Sequence, residues 1–146
     1  MKAERAHFFN FLKEKGLKLT QQRETILNAF LKTEKHVSVE DLYNIARRKD
    51  STIGQATVFR TLKLLAEAEI ASHVDIGDGI RRFEHRYNHK HHDHLICLKC
   101  HKVIEAVDES IEQRQEALCK KFSFQPVSHR LEIFGVCKKC SGKVKN

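Results

Sequence analysis

Ser72-His73-Val74-Asp75-Ile76-Gly77-Asp78-Gly79-Ile80-Arg81-Arg82-Phe83-Glu84 is the stretch that decides the fold. Polar and apolar residues alternate through Ser72–Ile76, Gly77-Asp78-Gly79 is a turn, and Ile80–Glu84 can return as a second strand, so the segment predicts a β-hairpin. What precedes it is helical. Thr20 can cap a helix that puts Ile26, Leu27, Phe30 and Leu31 on one face. Ser38-x-x-Asp41 has the pattern of a capping box and opens a second helix carrying Val39, Leu42, Ile45 and Ala46. A third begins near Thr52–Gln55 and turns Val58, Leu62, Leu65 and Ala66 inward. Three short helices followed by a hairpin suggest a winged helix-turn-helix.

On the other side of the hairpin, Arg86 to Lys90 is wholly polar and marks a hinge. Beyond it come strand-like Leu95–Leu98 and Val103–Val107, a helix near Asp108–Phe122 and a strand through Leu131–Val136. The fold class is therefore α+β: a winged helix-turn-helix domain over residues 1–85, a hinge over 86–90, and an α/β domain over 91–146. The last residues, Gly142 to Asn146, read as disordered.

The chain of 146 residues carries a net charge of +8, spread over both halves. Such an excess favours an anionic partner, nucleic acid first, without locating a binding face. No apolar run approaches the ~20 residues a membrane helix needs, and Met1-Lys2-Ala3-Glu4-Arg5-Ala6-His7 lacks the apolar core of a signal peptide, so the expected location is the cytoplasm. In a reducing compartment cysteines are metal ligands or buried thiols more often than disulfides.

Four of the five cysteines form two Cys-x-x-Cys pairs, Cys97/Cys100 and Cys137/Cys140. Zinc favours four tetrahedral thiolates, and each such turn offers two sulfurs with little strain. A closed Cys₄ shell leaves no open position, so the implied zinc is structural, stapling one strand to the C-terminal end of the chain. Cys119 falls with Ile111, Leu118 and Phe122 on one helix face, which predicts core packing.

Six of the ten histidines lie between His85 and His101. If His91-His92-Asp93-His94 is extended, His92 and His94 face one way and His91 and Asp93 the other, so one strand could feed two metal sites. Histidine and carboxylate ligands suit Fe²⁺, Mn²⁺, Co²⁺ or Zn²⁺ and bind more reversibly than thiolates, as a sensor requires. His36, Glu84, Glu105, Glu112 and His129 are available as further ligands.

These elements together resemble the ferric uptake regulator family of bacterial metal-responsive repressors. The resemblance is carried by His36-Val37-Ser38-Val39-Glu40-Asp41-Leu42-Tyr43, Ala56-Thr57-Val58-Phe59-Arg60, His91-His92-Asp93-His94-Leu95-Ile96-Cys97-Leu98-Lys99-Cys100 and Cys137-Lys138-Lys139-Cys140. It implies that the second domain dimerises and that the cysteine quartet holds structural zinc. It also implies a regulatory metal at His36, Glu84, His92, His94 and Glu105, and a second metal site at His91, Asp93, Glu112 and His129. The implied function is that of a dimeric repressor of iron-uptake genes, with Fe²⁺ as co-repressor and Mn²⁺, Co²⁺ or Zn²⁺ able to substitute. Relatives of the peroxide-sensing branch typically have Asp where Glu105 stands, and zinc sensors use a regulatory cysteine, so iron is the favoured metal.

The same resemblance implies an AT-rich palindromic operator in double-stranded DNA, bound by a homodimer or a pair of dimers. The recognition helix would run from Gln55 to Glu69 with Gln55, Ala56, Thr57, Phe59 and Arg60 outward. Phe59 occupies the place of a usual tyrosine, keeping an apolar contact for thymine methyls and losing the hydroxyl. Lys15, Lys18, Arg23 and Arg81 are candidate phosphate contacts or plain surface charges. A peroxide, manganese or zinc sensor of the same family is the near alternative. From other classes come a His/carboxylate metallohydrolase, against which stands the lack of an H-E-x-x-H or phosphate-binding loop, and a zinc-dependent adaptor without a DNA role.

Overall fold

The computed structural model describes residues 2–33, 36–87 and 92–142. The chain divides into two compact units, one of Met1–Asp75 with Gly79–His89 and one of Ile76–Asp78 with Lys90–Asn146.

The first unit contains α1 (Lys2–Glu14), α2 (Gln21–Phe30), β1 (Val37–Ser38), α3 (Val39–Arg47), α4 (Gln55–Glu67), β2 (Ala71–Asp75) and β3 (Arg81–His85). The Thr20 hydroxyl accepts the Arg23 N–H at 3.3 Å and starts α2. At α3 the capping box is complete: the Ser38 hydroxyl accepts the Asp41 N–H at 3.1 Å, and the Asp41 carboxylate accepts the Ser38 N–H at 2.9 Å. Helix α1 ends in a Schellman motif, with Leu17 N–H on the Leu12 carbonyl and Gly16 N–H on that of Lys13. Gly16 supplies the left-handed φ of +68°. Helix α4 closes in the same way through Ile70 and Leu65, but the left-handed position is Glu69.

Phe8, Leu12, Ile26, Leu27, Phe30, Leu42, Val58, Leu62, Leu65, Ile70 and Phe83 form the core, each worth roughly 1.5–3 kcal/mol of burial. Two elements of this unit, α1 and β1, lie outside the sequence expectation. Strand β1 pairs Val37 with Phe83 and Ser38 with Arg82, giving a three-stranded sheet in the order β1-β3-β2. Ala66 is half-buried, and fully buried Thr61 takes the inward place, its hydroxyl donating to the Thr57 carbonyl at 2.7 Å.

The second unit contains β4 (Asp93–Cys97), β5 (Val103–Ala106), α5 (Glu109–Lys121), β6 (Glu132–Gly135) and α6 (Lys138–Ser141). Strand β4 is central, antiparallel to β5 and parallel to β6. Residues Ile76–Asp78 fold with this unit, and the His101 imidazole donates from Nδ1 to the Ile76 carbonyl at 3.1 Å. Gly77 is required there: its φ is +80°, and a Cβ would lie 3.0 Å from Leu98 Cδ2.

One expectation is overturned here. Helix α5 buries no residue: Leu118 and Phe122 are exposed, and Cys119 is half-buried rather than a core thiol. Within one chain the sheet is too small to cover that helix, so its apolar face stays open. No described helix is long and apolar enough to cross a membrane. The expected disorder from Gly142 onward lies, past Gly142 itself, outside the described residues.

Candidate metal centres and DNA-reading helix

The two Cys-x-x-Cys turns meet. Cys97 ends β4, and Cys137 caps α6 after β6, so the parallel pairing of β4 with β6 brings Cys97 opposite Gly135. The ligand atoms of Cys97, Cys100, Cys137 and Cys140 all lie within 4.8 Å of one another, and the Cys100 and Cys137 sulfurs are 3.8 Å apart. A tetrahedron with metal–sulfur bonds of ~2.3 Å has edges of about 3.8 Å, the separation of the Cys100 and Cys137 sulfurs, so the quartet is gathered at the scale of a zinc shell.

The sulfurs are electrically inequivalent. The Cys97 thiol is pulled down to about 6, first by the Cys137 N–H and then by that of Cys100, while Cys140 is pushed up to about 12 by sharing protons with the Cys100 and Cys137 sulfurs. Lys102, Lys138 and Lys139 line the same cavity as Cys100, Cys137 and Cys140, and their charge favours the thiolates that zinc needs.

Sheet register builds the second group in the first unit. His36 directly precedes β1, so extending the Val37–Phe83 pairing by one residue sets it opposite Glu84, while β2 brings Ser72 to the other side. The Glu84 carboxylate accepts from His36 Nε2 at 2.9 Å and from the Ser72 hydroxyl at 2.9 Å. A divalent cation can replace the proton shared by His36 and Glu84.

In the second unit β4 starts earlier than expected, at Asp93, so the histidine-rich segment does enter a strand. His92 and His94 come together, ring centroids 5.0 Å apart. Asp93 and His94 are each 5% exposed although they lie on opposite faces of the central strand, whose Leu95 is exposed. Asp93 gathers with Glu112 and His129, their ligand atoms all within 4.8 Å, and His129 Nε2 is 3.3 Å from the Glu112 carboxylate. His91, expected in that group, lies outside the described residues.

Glu105 stands in register with His94, but it is exposed. Across the other edge, β6 brings Glu132 into register with His94, a residue that sequence reasoning missed. In Arg130-Leu131-Glu132-Ile133-Phe134 it reads as the solvated side of an alternating strand, and only the register sets it beside His94.

Helix α4 presents Gln55, Ala56, Phe59 and Arg60 to solvent with Thr57 half-buried. Phe59 is 45% exposed and is not part of the core. Lys15 is ion-paired with Glu67 at 2.5 Å, and Arg23 donates to the Lys18 carbonyl at 2.6 Å.

Residues 14–134 match the family model described as the ferric uptake regulator family. The ferric uptake regulation protein of Bacillus subtilis is 38% identical over 136 residues, covering 90% of this chain and 91% of that protein. The ferric uptake regulator of Helicobacter pylori, whose structure is described as revealing three functional metal-binding sites, superposes with a TM-score of 0.82 at 31% identity, covering 99% of this chain and 95% of that one. That of Francisella tularensis, solved with iron, gives 0.71 at 33% identity over 86% of this chain and 96% of that one. Members of this family are transcription regulators that bind DNA and function as dimers, not enzymes. By its motifs, its metal-ligand clusters and its likeness over nearly all its length, this chain belongs to the ferric uptake regulator family.

Proposed function

We propose that the protein is a cytoplasmic, iron-responsive repressor: a zinc-stabilised homodimer that binds an AT-rich palindrome in double-stranded DNA when Fe²⁺ is present. The regulatory ion is held by His36, Glu84, His92, His94 and Glu105, and a second ion by His91, Asp93, Glu112 and His129. The observation that carries the reading is the distribution of paired ligands: His36 with Glu84 on the first unit, His92 with His94 on the second. An ion drawing ligands from both makes the presentation of α4 depend on metal, a population shift between DNA-binding and non-binding forms.

Gln55, Ala56, Thr57, Phe59 and Arg60 read the DNA. Small Ala56 allows close approach, exposed Phe59 suits thymine methyls, and Arg60 suits phosphate or a guanine edge. The dimer uses the second unit, where Leu118, Phe122, Phe124, Ile133 and Phe134 are exposed on one chain.

The test is a metal titration of His36→Ala and His94→Ala in zinc-loaded protein, read by operator binding. Each substitution is expected to abolish the metal response while leaving zinc content unchanged. A full response in either variant removes that residue from the regulatory site.

A further inference from the structure

Because β4 is the central strand, the residues in register with His94 on both neighbours share its face. Those residues are carboxylates on both sides, Glu105 of β5 and Glu132 of β6. Their surroundings differ. Glu105 is exposed to water, which screens its charge, whereas the Glu132 side chain is 15% exposed and its Oε1 is buried with no hydrogen bond. Arg130 comes to 3.5 Å of that oxygen through Nε. This is longer than the ~2.7–2.9 Å of a charge-assisted bond, and Arg130 is itself 53% exposed. A carboxylate oxygen withdrawn from water without a bonded donor is costly, and a nearby cation offsets that cost.

We propose that Glu132 is an outer-sphere carboxylate of the regulatory metal centre, whose charge beside ligand His94 raises the affinity for a divalent cation without joining its coordination shell. The proposal rests on the assignment of His94 as a regulatory ligand. Glu132 belongs to none of the groups of mutually close ligand atoms among the described residues, which argues for action through charge rather than as a ligand. One strand spacing, ~4.8 Å, separates the two backbones, well inside the ~8 Å over which physiological salt screens even exposed charges. Glu132 is therefore a positioning and electrostatic residue that complements the resident ion.

The experiment measures Mn²⁺ affinity of the full-length, zinc-loaded dimer from the free-ion electron paramagnetic resonance signal, in a His129→Ala background that removes the second class of site. Glu132→Gln, which keeps shape and loses charge, is expected to weaken binding about tenfold, the low end for outer-shell partners. Glu132→Asp restores most of that loss. Zinc content stays at its starting value, and the Mn²⁺-free Glu132→Gln protein unfolds at the starting temperature or above it, because the uncompensated charge is gone. Unchanged affinity in Glu132→Gln, while His94→Ala abolishes binding, overturns the role of Glu132 and leaves the ligand assignment standing. Full Mn²⁺ affinity in His94→Ala overturns both.

Discussion

The backbone N–H of Cys137 donates to the sulfur of Cys97 at 3.4 Å, joining positions 40 residues apart. It is the leading cause of the lowered Cys97 thiol, so the first thiolate of the zinc site is prepared by the fold of β4 against β6. Zinc and fold are thereby linked: the pairing of two strands creates the ligand, and the ion locks the pairing.

Cys137→Ala therefore loses more than one ligand. Zinc, measured by elemental analysis, is expected to fall from one per chain to near zero. Structural zinc binding is worth ~10–16 kcal/mol in small zinc domains at neutral pH, so the second unit should unfold in the variant and dimerisation fail with it. A folded, dimeric, zinc-free Cys137→Ala protein contradicts the structural role.

The Ser38–Asp41 box gives a pH prediction. Hydrogen bonds from the Ser38 hydroxyl and N–H hold the Asp41 carboxyl below its ordinary 3.8. A depressed carboxyl stabilises the fold above the unfolded value and loses that contribution as pH falls through its lowered one. Asp41→Asn is thus less stable than the starting protein at pH 6, and the gap closes as pH falls below 3.8, as urea unfolding at each pH will show. Ser38→Ala costs about 1 kcal/mol at neutral pH.

Glu69 sits at the left-handed end position of α4 with φ 57°. Glu69→Gly relieves that strain at a smaller cost in unfolded-chain entropy, so we expect a gain of about 0.5–1 kcal/mol in chemical denaturation. A loss of stability would mean that the Glu69 side chain does more than occupy the turn.

Arg60→Ala is expected to weaken operator binding by ~1–3 kcal/mol at fixed salt, with dimer and zinc intact. If Arg60 meets phosphate, the slope of log affinity against log salt also falls by about one. Unchanged affinity removes Arg60 from the reading surface.

Much of this architecture was legible because its signals are local. The hairpin around Gly77-Asp78-Gly79, the capping box at Ser38 and the two Cys-x-x-Cys turns each act over a few residues, and the structure contains all of them. Two-residue β1 is too short for any periodicity, and it exists only because Val37 meets Phe83. Helix α1 buries just Phe8 and Leu12 outright, while Phe9 on the same helix is 50% exposed, so its apolar stripe is blurred. Helix ends at Glu69 and Ser123 use left-handed residues that are not glycine and carry no stop signal. Glu132 is invisible for another reason: its meaning comes from a parallel neighbour 38 positions away. Cys119 was misjudged because helical spacing identifies an apolar face without saying whether the same chain covers it.

Metal-dependent DNA binding is tested most directly by fluorescence anisotropy of a labelled AT-rich palindrome under anaerobic conditions. Zinc-loaded protein is expected to bind tightly with Fe²⁺ or Mn²⁺ and to lose at least about tenfold in affinity when the regulatory ion is withdrawn by a mild chelator, the scale of a coupling free energy of 1–3 kcal/mol. Equal affinity with and without the ion, at unchanged zinc content, would contradict it.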